Sequence, residues 1–243
     1  PPPGIIAKLT GGKGCGKRLP GRRLTVTSPG CGPAALLSFH INPKASMPDI
    51  SSTMRLRLLL AYDGSRYCGW QIQDIPTPPP TVQAAVEAAV GRIAGRPVRV
   101  FGSGRTDAGV HAHGQVAHCD VPRRPGLDWR HALNALLPAD VRVLHWQEAA
   151  PDFHARISAL RKTYVYDFWQ EKGFVPPRLA PFVWRSGPLD AGAMRAALPF
   201  LLGRHDFASL QNAGTEMEST VRELQAATLT ELPPVEFMPP YLP

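Results

Sequence analysis

The sequence lacks the cysteine spacing that disulfide frameworks and zinc sites require. Its 243 residues include four cysteines, Cys15, Cys31, Cys68 and Cys119, and no two of them form a Cys-x-x-Cys pair. Three histidines lie close to Cys119, but alternate residues of a strand face opposite sides and no second Cys/His cluster completes four ligands. We therefore expect neither a disulfide framework nor a metal site.

Long apolar runs are also missing. No charge-free stretch approaches the roughly 18 residues that a membrane-spanning helix needs. The best candidate for the core of a signal peptide, residues 34–41, is interrupted by Ser38 and His40 and lies far from the first residue. Hydrophobic residues make up 44% of the chain, which is enough to build a core. We expect a soluble, cytoplasmic protein with no membrane contact.

The net positive charge is small outside the first 53 residues. That segment holds seven Lys/Arg against Asp49 alone, whereas the rest of the chain holds 20 Lys/Arg against 18 Asp/Glu. A nucleic-acid surface would therefore be a local arrangement of arginines rather than a global excess. Residues 1–53 are rich in Gly, Pro and Lys/Arg without periodicity, a composition typical of disorder.

One glycine-rich stretch, FGSGRTDAGVHAHGQVAHCD at residues 101–120, concentrates the chemistry. Gly102, Gly104 and Gly109 surround Arg105-Thr106-Asp107, between two strand-like runs. Glycines permit positive φ and close backbone approach to a ligand, and a charged Arg-x-Asp at a strand exit is a typical place for an active site. The same spacing also fits an ordinary turn in which the Asp bonds its own backbone and the Arg is solvated.

Periodicity and turn signals predict the order β-α-β-β-α-β, followed by a second, similar half. We predict helices after the N-caps Thr81, Asp128 and Asp190, the first of them closed by Gly95. A restart of the pattern near residue 150 divides the chain into a 54–150 half with the Asp107 loop and a 151–243 half. The expected fold class is α+β, with a mixed or antiparallel sheet and helices on one face. Strands are expected at 55–62, 98–101, 115–121, 141–146, 163–169, 181–185 and 228–232.

The run GRTDAGVHAHGQVAH resembles the signature of the tRNA pseudouridine synthases of the TruA family. Five further blocks resemble the family in the same order: RLLLAYDGSRYCGWQIQ, TVQ, LNALLPADVRV, FHARISALRKTYVY and LLGRHDFASL. The likeness covers most of residues 54–223. It implies two halves that form a joint sheet with an RNA-binding cleft between them.

The resemblance implies isomerisation of uridine to pseudouridine in the anticodon arm of tRNA (positions 38–40) by a homodimer that needs no cofactor. Asp107 is then the catalytic nucleophile, and Tyr164 contacts the substrate. Arg105 is expected to hold RNA backbone or fill the stack as the base flips out. Thr106 belongs to the same motif. His111, Arg156, Arg161 and Lys162 are further candidate RNA contacts.

Two departures from the family pattern shape our expectations. The basic, apolar FxHHMVRN-type block, which supplies an Arg to the family's pocket, does not follow residue 223. We therefore expect an incomplete second half and little synthase activity. Residues 1–53 match nothing in the family, so we expect them to be extraneous, with Met54 or Met47 as the native start.

Two other function classes stay open. One is a catalytically silent RNA-binding module. The other is a hydrolase that uses Asp107 as a carboxylate nucleophile, which is disfavoured because the sequence has no phosphate-binding loop, Mg²⁺ carboxylate cluster or second catalytic acid.

Overall fold

The structure, a computed structural model, describes residues 4–12, 53–210 and 219–232. Its α-helices are α1 (Val82–Ala94), α2 (Trp129–Leu136) and α3 (Ala191–Ala197), with 3-10 turns at Leu198–Leu201 and Ala208–Leu210. Its strands are β1 (Gly4–Gly12), β2 (Thr53–Tyr62), β3 (Phe101–Gly102), β4 (Ala112–Pro122), β5 (Val141–Ala149), β6 (Arg161–Trp169), β7 (Trp184–Arg185), β8 (Gly203–Asp206) and β9 (Val221–Leu232).

The first sheet has the strand order β3-β4-β2-β5, and all of its pairings are antiparallel. Strand β2 alternates, so that one face is buried while the residues between are only partly covered. The buried face consists of Met54, Leu56, Leu58, Leu60 and Tyr62. Helices α1 and α2 add buried side chains to the same core, including Val86, Val90, Trp129 and Leu133. Burial of this apolar surface is the main force that holds the first half together.

The helix boundaries in this half follow the predicted caps. Thr81 Oγ1 accepts a hydrogen bond from Ala84 N (3.3 Å), and Gly95 ends α1 in the left-handed region at φ 75°. Asp128 accepts from the amides of Arg130 and His131 and so begins α2. Side-chain caps satisfy amides that a helix leaves unpaired, which explains why these helices start where they do.

The second sheet has the order β7-β6-β1-β9-β8, antiparallel throughout except for the parallel pair β6–β7. Strand β6 carries Lys162 and Tyr164, which lie opposite Gly11 and Leu9 of β1. Because side chains alternate along a strand, Lys162 and Tyr164 point to the same face of this sheet.

Strand β1 differs from the disorder that composition predicts for residues 1–53. It lies between β6 and β9 and pairs with both over almost its whole length. Its backbone bonds come from strands more than 140 residues away, which no local pattern reveals. The prediction of disorder also covers residues 13–52, which include the proposed start at Met47. These residues lie outside the described residues.

The α+β class and the antiparallel sheet are confirmed, and the order β-α-β-β-α-β appears as β2-α1-β3-β4-α2-β5. The described part of the second half has one α-helix, of seven residues, and four strands of two to twelve residues. Strand β5 belongs to the first sheet and ends at Ala149, and β6 belongs to the second. The division into two domains stays a prediction. Among the described residues, no helix is long and apolar enough to cross a membrane.

Candidate active site

The glycine-rich loop between β3 and β4 begins with a set of bonds to β4. Ser103 N donates to Val116 O (2.7 Å), and Ser103 Oγ bonds the side chain of Gln115 (2.7 Å). The Gln115 amide in turn donates to Gly104 O. Gln115 is buried, so its polar groups need these partners. The exit of β3 is therefore fixed up to Gly104.

The middle of the loop is held by the segment that follows β2. The hydroxyls of Tyr62 and Thr106 are 2.9 Å apart, and Trp70 N donates to Thr106 O (3.0 Å). Gly109 N donates to Tyr67 O (3.2 Å) on the far side of Asp107. Burial raises the pKa of Tyr62, which keeps its phenol protonated at neutral pH. Thr106 and Gly109 are thus anchored on either side of Asp107.

Three glycines are required by contacts within the protein. A Cβ at Gly64 would overlap the backbone of Val110. Gly69 has φ 84°, and a Cβ there would run into the backbone of Thr106 and lie 3.1 Å from Asp107 C. A Cβ at Gly102 would lie 2.6 Å from the indole of Trp70. The sequence predicts that the backbone at Gly102 approaches a ligand closely. In the structure it approaches the side chain of Trp70.

Asp107 and Arg105 are both exposed. Over residues 4–12, 53–210 and 219–232, the Asp107 carboxylate and the Arg105 guanidinium form no hydrogen bond and no ion pair. The backbone on either side of Asp107 is anchored, while its carboxylate has no partner in the described residues. The carboxylate is therefore accessible to a substrate. Its role as nucleophile stays a prediction.

His111 contacts protein through both ring nitrogens. Nδ1 accepts from Gly64 N (3.2 Å), and Nε2 lies 2.8 Å from Pro181 O. The ring also packs against Phe182, with centroids 4.6 Å apart. Asp63, whose pKa is lowered chiefly by hydrogen bonds from Ser65, lies 3.1 Å from Nδ1. Contact of His111 with RNA stays a prediction.

Strand β6 brings Lys162 to the loop and carries Tyr164 on the same face. A Cβ at Gly104 would lie 2.9 Å from Lys162 Nζ, so the Lys162 side chain runs along this part of the loop. Tyr164 shares that face of β6 and is 53% exposed. Burial of its inner part raises the pKa of Tyr164, with a further contribution from Tyr166. A neutral phenol can stack on a base and donate a hydrogen bond.

Arg156 and Arg161 are exposed and are not brought to the loop by any described contact. The backbone amide of Arg156 donates to His154 Nδ1 (3.2 Å) in the turn after β5, while its guanidinium faces solvent. No group of three or more His, Cys, Asp or Glu that could hold a metal ion is found in the described ranges.

Sequence reasoning missed the role of His118, which is 3% exposed. Its Nδ1 accepts from Ala155 N (3.1 Å), and its ring stacks on Phe101 with centroids 5.1 Å apart. His154 packs edge-on at 4.6 Å. His118 thereby fixes the segment that leads from β5 to β6 and Tyr164. A histidine in the middle of an apolar strand pattern, beside Ala117 and Cys119, was the available signal.

We expect His118 to make stability depend on pH. Burial, then His154 and Arg55, lower the pKa of His118 from its ordinary value of 6.5, so folding favours the neutral ring. The contribution of His118 to the free energy of unfolding is fully present above pH 6.5, the ordinary pKa. It is lost as the pH falls through the lower pKa of the folded state. The thermal midpoint should fall between about pH 7.5 and about pH 5.5 more steeply in the parent than in His118→Asn.

Asparagine at position 118 keeps an acceptor for Ala155 N but does not titrate. The thermal midpoint of His118→Asn should therefore change less with pH. His131→Asn, a change at an exposed histidine, should keep the parent's slope. Differential scanning fluorimetry across pH measures all three chains. Parallel profiles for the parent and His118→Asn would contradict the assignment.

Comparisons with known proteins identify relatives of this chain. Residues 59–157 match the family model of tRNA pseudouridine synthase. A protein named tRNA pseudouridine synthase A from Oleidesulfovibrio alaskensis is 52% identical over 183 residues, covering 72% of this chain and 66% of the relative. The protein of that name from Lawsonia intracellularis is 50% identical over 175 residues (71% and 68%), and that from Rhodospirillum rubrum is 43% identical over 183 residues (74% and 64%).

The match reaches beyond residue 150 into the second half, since 72% of the 243 residues is about 175 residues. It spans about two thirds of the relatives' own length, from 64% to 68% in these three. At such identity over such a length, and with the motif loop and its anchors in place, the chain belongs to the tRNA pseudouridine synthase A family.

Proposed function

We propose that this chain acts in the conversion of uridine to pseudouridine in tRNA, with Asp107 as the nucleophile. The observation that carries the proposal is the Asp107 loop: its backbone is anchored at Thr106 and Gly109, while the carboxylate remains exposed and unpaired in the described structure. A fixed backbone with an accessible carboxylate is what a nucleophile in a rigid site needs.

The proposed reaction is an isomerisation, so its atoms balance without a co-reactant. The bond between uracil N1 and ribose C1′ breaks, a bond between C5 and C1′ forms, C5 loses its proton, and N1 gains one. Asp107 supplies the carboxylate. Tyr164, kept neutral by its raised pKa, supplies a stacking surface and a hydroxyl donor.

Arg105 is proposed to act on the RNA rather than on the bond that breaks. It precedes the anchored Thr106, is exposed, and has no acidic partner in the described structure. A side chain that fills the space left by a flipped base lowers a cost of a few kcal/mol. Arg156 is assigned a supporting contact to the RNA backbone.

The substrate proposed is the anticodon arm of tRNA, at uridines 38–40, bound in a cleft between the two halves. Lys162 and Tyr164 of β6 on one side and the Asp107 loop on the other support this location. A homodimer in the cytoplasm completes the proposal; it rests on the family resemblance.

The test uses an anticodon stem-loop with uridines labelled by tritium at C5. Incubation with the 243-residue chain should release tritium at a low but measurable rate, in keeping with the little activity expected from the sequence, because C5 loses its proton in the proposed reaction. A stem-loop with cytidine at positions 38–40 is the control and should release none. Binding without release would favour a silent RNA-binding module, and release of phosphate or free sugar would favour a hydrolase.

A further inference from the structure

Described residues of the second half contact the Asp107 loop on each side of the Arg105–Asp107 segment. Before it, the Lys162 side chain from β6 lies against Gly104. After it, His111 meets Pro181 and Phe182, in the segment that leads into β7. The two contacts bracket the residues proposed to do the chemistry.

The ring nitrogens of His111 face different halves of the protein. Pro181 O is an acceptor, so Nε2 must donate to it. Nδ1 lies 3.2 Å from Gly64 N, which donates to it, and 3.1 Å from the Asp63 carboxylate. The imidazole therefore bridges the turn after β2, in the first half, and the 176–182 segment, in the second.

The part of the loop between Asp107 and His111 is supported by the first half. Gly109 N donates to Tyr67 O, and the backbone of Val110 packs so closely on Gly64 that a Cβ there would overlap it. Val110 N donates to Asp107 O (3.2 Å) within the loop itself. His111, where the loop rejoins β4, adds the hydrogen bond to the second half.

We propose that His111 is a positioning residue, which uses its bond to Pro181 to set the Asp107 loop relative to the second half. The expected effect on rate rests on the proposed function, whereas the expected effect on the position of the loop does not. Release of the bond would remove the hydrogen bond to the second half on the far side of Asp107 and leave the contact of Lys162 with Gly104, so the carboxylate and the β6 face with Tyr164 would lose part of their fixed relation. Small misplacements of reacting groups are costly in rate.

Two substitutions separate the bonds of His111. The side-chain amide of asparagine reaches only as far as Nδ1, so His111→Asn can keep the bond to Gly64 N but loses the one to Pro181 O. Glutamine reaches as far as Nε2, so His111→Gln can donate to Pro181 O. His145→Asn, at an exposed histidine of β5, is the matched control.

Hydrogen–deuterium exchange of the 243-residue chain is the first readout, and it needs no activity. In His111→Asn, peptides covering 104–111 and 176–183 should exchange on the order of tenfold faster, while His111→Gln and His145→Asn stay near the parent. Unchanged exchange in His111→Asn would overturn the proposal, as would equal loosening in His111→Gln.

Kinetics on the anticodon stem-loop form the second readout. We expect kcat of His111→Asn to fall on the order of tenfold with KM within about twofold, and His111→Gln to recover most of the loss. A rise in KM with unchanged kcat would instead make His111 an RNA contact and overturn the positioning role. A parent chain without activity would count against the proposed function alone, since the exchange experiment still decides the role of His111.

Discussion

Replacing Asp107 by asparagine should abolish pseudouridine formation while leaving RNA binding and stability intact. Asparagine has nearly the same shape as aspartate but lacks the charged oxygen that acts as nucleophile. Loss of such a group typically lowers kcat by about a thousandfold or more. Because the Asp107 carboxylate is exposed and has no partner in the described structure, the free energy of unfolding should change by less than about 0.5 kcal/mol.

The experiment combines tritium release, a binding titration with labelled stem-loop, and urea unfolding. Asp74→Asn is the matched control, since Asp74 is an exposed aspartate in the loop after Trp70, and it should behave as the parent does. Turnover by Asp107→Asn within tenfold of the parent would show that another residue is the nucleophile.

The helices of this protein are predictable from sequence because their caps are local. Thr81, Asp128 and Asp190 each accept from an amide two or three residues ahead, and Gly95 closes α1 in a conformation that suits glycine. These interactions depend on neighbours within one turn of helix. Distant parts of the chain have no influence on them.

The strands were harder to predict from the sequence because their pairing partners are distant in the chain. Strand β3 was expected at 98–101 and lies at Phe101–Gly102, where it pairs with His118 and Ala117. Strand β9 starts at Val221, seven residues before its predicted start, because β8 and β1 pair with this earlier part. Strands β1 and β8 were not predicted at all. Composition and alternation do not identify a partner.

The motif loop was found from sequence, but its supports were not. Glycine spacing and the Arg-x-Asp pattern locate the loop. The bonds from Tyr62 and Trp70 to Thr106 join residues more than 35 positions apart, so they emerge only in the fold. Likewise, spacing gives no reason for His111 to meet Pro181, 70 residues away.

Gly69 offers the sharpest test of the claim that the turn after β2 sets the position of Asp107. Gly69→Ala introduces strain at φ 84° and drives a methyl group into the backbone of Thr106 and Asp107. The strain alone costs about 1 kcal/mol, and overlap in a packed site adds about 1–3 kcal/mol. Because the backbone in contact belongs to the motif itself, the loop must shift.

Gly95→Ala is a matched control for this strain. Gly95 has φ 75°, close to that of Gly69, but a Cβ there meets nothing within 4 Å. We expect Gly95→Ala to lose about 1 kcal/mol of stability and to keep the parent's activity. Gly69→Ala should lose about 2–4 kcal/mol and at least about a hundredfold in kcat, since a displacement near 1 Å has effects of that size.

Urea unfolding followed by tryptophan fluorescence gives the stability difference, and tritium release gives the rate. The difference between the two glycine variants cancels the backbone strain that they share, so it isolates the contact with Thr106 and Asp107. Equal activity in both variants would mean that the loop tolerates displacement and that its anchors at Tyr62 and Trp70 do not set the position of Asp107. A loss confined to Gly69→Ala ties the turn after β2 directly to the chemistry.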